Sequence, residues 1–523
     1  MGFNRIGILG KILIIPVILA GLSMYSCDNS KKNQNASSAG VINDYDISDG
    51  QNDYSNYLKI VKNYADAMIS NGRDVYGPEH SPLFASTINR KTMKIGSMED
   101  FGDIPGVRTH DRSIKGANPL QDVGLFEICY RLSNITGDES YTREADNSLK
   151  FFFNQCQSPV TGLMAWGEHL YWDFETEACG YGKENQDYHE SSVWPFWDRC
   201  YQLAPEACWK FTIGEWDHQI ADKKTGHFSR HARWSLHGPF SGFEFPRYAG
   251  QMIERWVIAY NRQEIIDQPR REELLEAIKV VYARMEENVK LTKSGYLPAG
   301  TTNKGDHDKV VWLTSNLELA RCLELAIPLF NDELAERMTA FALKQDMDFL
   351  NAPHKFDSVN GEGYAVTLHA DSGLPRTRSM NKPYTSSWGS GYGYGPHSKV
   401  ANICFDRHHA LKTSHPDLSE KYRKLALLAA DQYLSSPPDT SQLIKPDVFA
   451  SVIQLMLNSY ELTGEHRYMD RASYFGQLGI DLFLDSDSPL PKATNQHNHY
   501  ETITGGPDFM KELLSLYLVM NKL

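Results

Sequence analysis

The chain has 523 residues, of which 41% are hydrophobic and 11% aromatic, enough for a large core. Its formal net charge of −13 at pH 7 argues against nucleic acid as a partner. An anionic ligand must instead be drawn by a local basic patch or a cation, against the overall field.

At the N-terminus, Arg5 and Lys11 precede an apolar stretch from Ile12 to Leu22. That is about eleven residues, where a membrane-spanning helix needs roughly 20, so residues 1–26 read as a signal peptide. Cys27, directly behind Ser26, reads as the lipidated cysteine of a bacterial lipoprotein. The match is loose, because Met24 and Tyr25 stand where smaller residues are usual; ordinary cleavage with an incidental Cys27 is the alternative. Residues 27–52 are polar and predict a disordered tether. Residues 53–523 then form one large catalytic domain, with membrane contact only through the lipid. The expected location is the outer membrane, facing the periplasm. Seven cysteines remain beyond Cys27, an odd number without a CxxC pair, and most read as buried free thiols.

From here on, helical periodicity dominates. A first helix is predicted at 55–70, followed by a long loop, 73–118, that carries Arg108 and Arg112 in GVRTHDRSIKGAN. Both arginines suit bidentate binding of a substrate carboxylate, although a basic loop is more often solvated surface. Residues 125–153 predict a helical hairpin whose Ile-Thr-Gly-Asp turn, then Tyr141 and Ala145, recurs at Leu462–Glu465, then Tyr468 and Ala472. Glycine would end one helix, the acid cap the next, and the tyrosine and alanine pack the pair.

Between Trp166 and His237 lie six of the eighteen histidines, at 169, 189, 218, 227, 231 and 237. Imidazoles with a carboxylate in separate segments suit a divalent metal; a lone loop histidine is more often a hydrogen-bonded structural residue. The candidates among them form neither HExxH nor HxH, so the residues alone leave both readings open. Further hairpins are predicted at 190–203 with 205–221, 247–262 with 270–291, 312–329 with 331–349, and 398–411 with 418–436. Arg247 and Lys304 are weaker candidates for the substrate. The run WGSGYGYGPH (388–397) suits sugar stacking and lacks the GK[ST] of a phosphate loop. Only short pieces such as 364–370 alternate like strands.

A last helix at 508–522 brings the expected total to about fourteen. Spacing that drifts between hairpins and long ionisable loops argues against an open solenoid of constant period. The expected fold is all-α, a closed (α/α) toroid of six to seven hairpins, seven being preferred.

YGPEHSPLF (76–84), WGEH (166–169), HE (189–190), RH (230–231) and HYETITGGPDFM (499–510) resemble family 2 polysaccharide lyases, the periplasmic pectate lyases and their relatives. The resemblance spans about residues 55 to 520, and its most specific element is a histidine, a glutamate 21 later and Arg-His about 41 beyond that. It implies an (α/α)7 barrel and a transition metal, manganese first, with nickel, zinc or cobalt as substitutes. By position it implies His169, Glu190 and His231 as ligands and Arg230 as base, with His189 or His227 as the alternatives if the match shifts.

The implied function is β-elimination from a 4-linked uronate glycan, pectate or oligogalacturonide first, with an acidic poly- or oligosaccharide as partner. An arginine acts as base only where nearby charge and burial favour its neutral form, so Arg230 as a carboxylate clamp stays open. Two rivals remain. An (α/α) glycoside hydrolase, such as an unsaturated uronyl hydrolase, would use a carboxylate pair and leave the histidines unexplained. A non-catalytic glycan-binding lipoprotein would turn over nothing.

Overall fold

The computed structural model describes residues 55–182, 187–189, 193–238, 244–262, 269–331, 333–357, 361–377, 382–389 and 395–522. Cys27, the signal peptide and the tether lie outside these residues. Among them are fifteen helices: α1 (Ser55–Asn71), a single turn α2 (Met98–Phe101), α3 (Val123–Thr136), α4 (Ser140–Gln155), α5 (Trp197–Leu203), α6 (Pro205–His218), α7 (Pro246–Tyr260), α8 (Glu272–Val289), α9 (Leu313–Ala326), α10 (Glu333–Leu350), α11 (His397–Leu411), α12 (Pro416–Ser435), α13 (Pro446–Thr463), α14 (His466–Phe483) and α15 (Gly506–Met520).

They pair as seven antiparallel hairpins: α3/α4, α5/α6, α7/α8, α9/α10, α11/α12, α13/α14, and α15 with α1. Helices α11, α13, α15 and α3 pack side by side in that order, and α7 packs on α9. This is the (α/α) toroid expected from the sequence. In α7/α8, α9/α10, α11/α12 and α13/α14 the first helix buries the larger share of its residues and is the inner one. Helix α13 buries residues on all faces, whereas α12 buries a single stripe, as an outer helix does. The ring closes where α15 meets α3, and a Cβ on Gly124 would stand 2.6 Å from the Pro507 carbonyl, so glycine permits that approach.

The repeated turn behaves largely as read. Gly137 and Gly464 take left-handed conformations, φ 73° and 71°, and end α3 and α13. Asp138 Oδ1 accepts the Ser140 amide at 2.9 Å, as a cap does. Glu465 departs from the expectation: its carboxylate pairs with Arg467 at 2.7 Å instead of capping α14. The tyrosines do more than pack. Tyr141 Oη donates to Asp66 at 2.5 Å and Tyr468 Oη to Asp431 at 2.8 Å, each tying one outer helix to another.

Short links join inner to outer helices, as at 137–139, 412–415 and 464–465, while long ones return from outer to inner, as at 156–196, 219–245 and 351–396. All inner helices run the same way, so the long links collect at the end where those helices begin. They knit there into six small sheets of two or three strands. Residues 364–370 fall in two of them, as the alternation predicted. The seven cysteines are buried and free. No helix among the described residues is long and apolar enough to cross a membrane.

Candidate metal centre

Two of these link segments, 156–196 and 219–245, bring three histidines together. His169 precedes the strand Leu170–Asp173; His189 follows Asp187–Tyr188; His231 precedes Ala232–Arg233. The last two strands pair antiparallel, Tyr188 opposite Ala232, which sets His189 beside His231. The Glu168 amide donates to the His189 carbonyl at 2.7 Å and stitches the WGEH turn to them. Gly167 adopts φ 112° in that turn, and Asn118 Nδ2 holds its carbonyl at 2.8 Å.

The three rings are nearly sealed, with exposures of 3%, 3% and 8% for His169, His189 and His231. One ring nitrogen of each lies within 4.8 Å of the others. Behind each ring stands a carboxylate. Asp111 Oδ1 meets His169 Nδ1 at 2.9 Å, Asp187 Oδ1 meets His231 Nδ1 at 2.7 Å, and Glu168 sits against His189 Nδ1. A carboxylate on one nitrogen fixes the tautomer and leaves the other nitrogen to a metal, the usual backing of imidazole ligands. Burial first, then the Arg230 charge, push His189 well below its ordinary pKa, so its ring is neutral and able to ligate. Burial alone would raise the Glu168 carboxyl; His189, Arg108 and Arg230 outweigh it and hold the group ionised.

Of the implied ligands, His169 and His231 lie in this cluster, and Glu190 is outside the described residues. His189, the shifted alternative, is the third described nitrogen. His227 stands elsewhere, against buried Glu244. Arg230 donates from Nε to His231 Nε2 at 3.1 Å and lays its guanidinium over Phe245 at 3.7 Å. Arg247 shares a pocket with Arg230, His189, Tyr248 and Trp312.

Two expectations about the first long loop change. Arg112 is buried and does not face a substrate: its Nε and Nη2 hold Glu501 at 2.7 and 2.6 Å, in a link that joins that loop to residues 484–505. Arg108 pairs with Asp111 at 2.6 Å and with Glu168, so it braces the carboxylates behind the histidines. Lys304 belongs to the irregular turn Lys304–Lys309, and its side chain is outside what is described. Asp111, Glu168 and Asp187 were not singled out from the sequence. Their only signal there is position, beside or within two residues of a candidate histidine or the RTHDR run.

The three imidazoles could hold a metal ion, and the pocket beside them carries two arginines, Arg230 and Arg247. Residues 82–252 match the periplasmic pectate lyase family. That segment contains all three histidines, their carboxylates, Arg230 and Arg247, and it supports an enzyme acting on glycans. Among solved structures, a D-mannose isomerase is similar at 10% identity, covering 90% of this chain and all of that one, with a TM-score of 0.41. A cellobiose 2-epimerase from Bacillus thermoamylovorans B4167 gives 10%, 88%, 99% and 0.44 in the same order. An unsaturated glucuronyl hydrolase specific for heparin gives 11%, 90%, 99% and 0.44. These likenesses are distant, and the site is read from its own residues.

Proposed function

We propose that this protein is a metal-dependent polysaccharide lyase that cleaves a 4-linked uronate glycan by β-elimination. The observation that carries this reading is the trio of buried histidines, each backed by a carboxylate, beside a pocket holding Arg230 and Arg247. His169 and His231 would hold a divalent transition metal, manganese first, with Glu190 or His189 as third ligand; nitrogen donors suit such ions better than calcium. When bound, the metal neutralises the uronate carboxylate and stabilises the enolate-like charge that forms next to it.

The protein's own residues do the rest. Arg247, exposed at the pocket, pairs with the carboxylate of the uronate bound there. Arg230 takes the C5 proton, the C4–O4 bond breaks, a double bond forms between C4 and C5, and the departing O4 takes a proton from water. The positive charge of a bound metal would favour the neutral guanidine that this step needs, against the stabilisation that the Phe245 ring face gives the cation. A metal on His231 Nε2 would take the lone pair that accepts the Arg230 Nε proton in the metal-free protein and so release the Arg230 side chain. We place the enzyme in the periplasm, in line with the family's description, tethered by a lipid on Cys27.

Mass analysis of oligomers after incubation with polygalacturonate and manganese tests the reaction class. Elimination adds no water and leaves an ultraviolet-absorbing unsaturated end. A product carrying one added water per cleaved bond would make the protein a hydrolase.

A further inference from the structure

The histidine cluster stands between two cavities of opposite character. On one side is the pocket with Arg230 and Arg247, which His189 also lines. On the other is a cavity of about 350 Å³, open to solvent, among the N-terminal ends of α3, α11, α13 and α15. That is the scale of a ligand site, roughly 300–1,000 Å³. Its wall includes Asp111 and Glu168, the carboxylates that contact His169 and His189, so the cavity adjoins the cluster.

The remaining charge on the wall is acidic. Among the described residues it carries Asp111, Glu168, Asp447 and Asp508 against one cation, Lys399, which is already paired with Asp447 at 2.8 Å. Arg108 neutralises part of Asp111 and Glu168 from behind. Nothing comparable serves Asp508, whose carboxyl burial pushes up to about 6, with Lys511 and Lys399 pulling down and Asp447 and Glu127 pushing up. A sugar carboxylate entering here would meet like charge. A neutral sugar would find hydroxyl and carboxylate acceptors, including Thr502, for its own hydroxyls.

We propose that the cavity takes a neutral sugar next to the uronate bound at the cluster, so that the substrate alternates uronate and neutral residues instead of being a uniform polyuronate. The acidic wall rejects the uniform chain by placing charges against its second carboxylate. This rests on the lyase reading above and narrows its substrate.

The test compares kcat/KM for polygalacturonate and for a polymer alternating galacturonate with rhamnose, followed by the unsaturated product. The alternating polymer should lead by more than about tenfold, since like-charge juxtaposition is costly. Asp508→Asn and, separately, Asp447→Asn should shrink that ratio. Binding of the matching oligosaccharides to Arg230→Ala, measured by calorimetry, reads the same preference without turnover. Equal or better use of polygalacturonate, with equal binding, overturns the neutral subsite and leaves the lyase reading intact. Preferential binding of the alternating oligomer with no elimination from either polymer upholds the cavity's preference and sinks the lyase reading.

Discussion

Asp187 and His231 meet at 2.7 Å across 44 residues of sequence, carboxylate oxygen to Nδ1, from two strands that pair with each other. The same ladder that positions the ligand also supplies the group that orients it. Asp111 and His169 repeat the relationship across 58 residues.

Asp187→Asn should therefore weaken metal binding about 10–100-fold, as loss of such backing groups does, while the fold persists. Asp111→Asn should act alike through His169. Metal titration of the purified variants checks both. Unchanged affinity would reduce the carboxylates to packing.

Arg230 is predicted to act on the proton and not on the metal. Arg230→Ala should lower kcat about 10²–10⁴-fold, the span of general base catalysis, with metal content unchanged. Arg230→Lys keeps a charge but loses the planar guanidine. If either variant raises KM and leaves kcat unchanged, Arg230 is a carboxylate clamp and the base lies elsewhere.

Arg112 gives a prediction of the opposite kind. Removing it leaves Glu501, 1% exposed, as an uncompensated buried charge beside His499. Arg112→Met should cost about 3–5 kcal/mol of stability, without a rise in KM. Adding Glu501→Gln should return part of the loss. Denaturant unfolding measures the first and last, and steady-state kinetics the second.

These cases show what the sequence carries. The hairpins were legible because each is local: helical period, a left-handed glycine and a tyrosine at fixed spacing are written within about 30 residues. Their closure into a ring follows from the order of short and long links. His169, His231 and Arg230 stand out only through the family resemblance that WGEH and RH carry, and the structure brings the three side chains together. The backing carboxylates do not stand out, because Asp111 reaches its histidine only through tertiary structure. Arg112 misled for the same reason: its segment has no apolar period and looks solvated, yet its partner lies 389 residues away.

Asp508 links the proposed neutral subsite to stability. Its carboxyl sits at about 6 when folded, against roughly 3.9 unfolded. Above about pH 6 the folded chain carries a charge that water would accommodate better, so the group subtracts stability there; below about pH 3.9 both states are protonated and the effect vanishes. Asp508→Asn should raise Tm more at about pH 8 than at about pH 5. An equal shift at both values would mean that the carboxyl titrates normally.

The central claim is that His169 and His231 hold a metal that elimination requires. The direct measurement is the ultraviolet signal of the unsaturated uronide from wild-type protein after chelation and dialysis, then after manganese is returned. The account predicts no product from the stripped protein, recovery on adding manganese, and no recovery in His169→Ala or His231→Ala. Full product formation by the stripped protein, or by either variant, would contradict it.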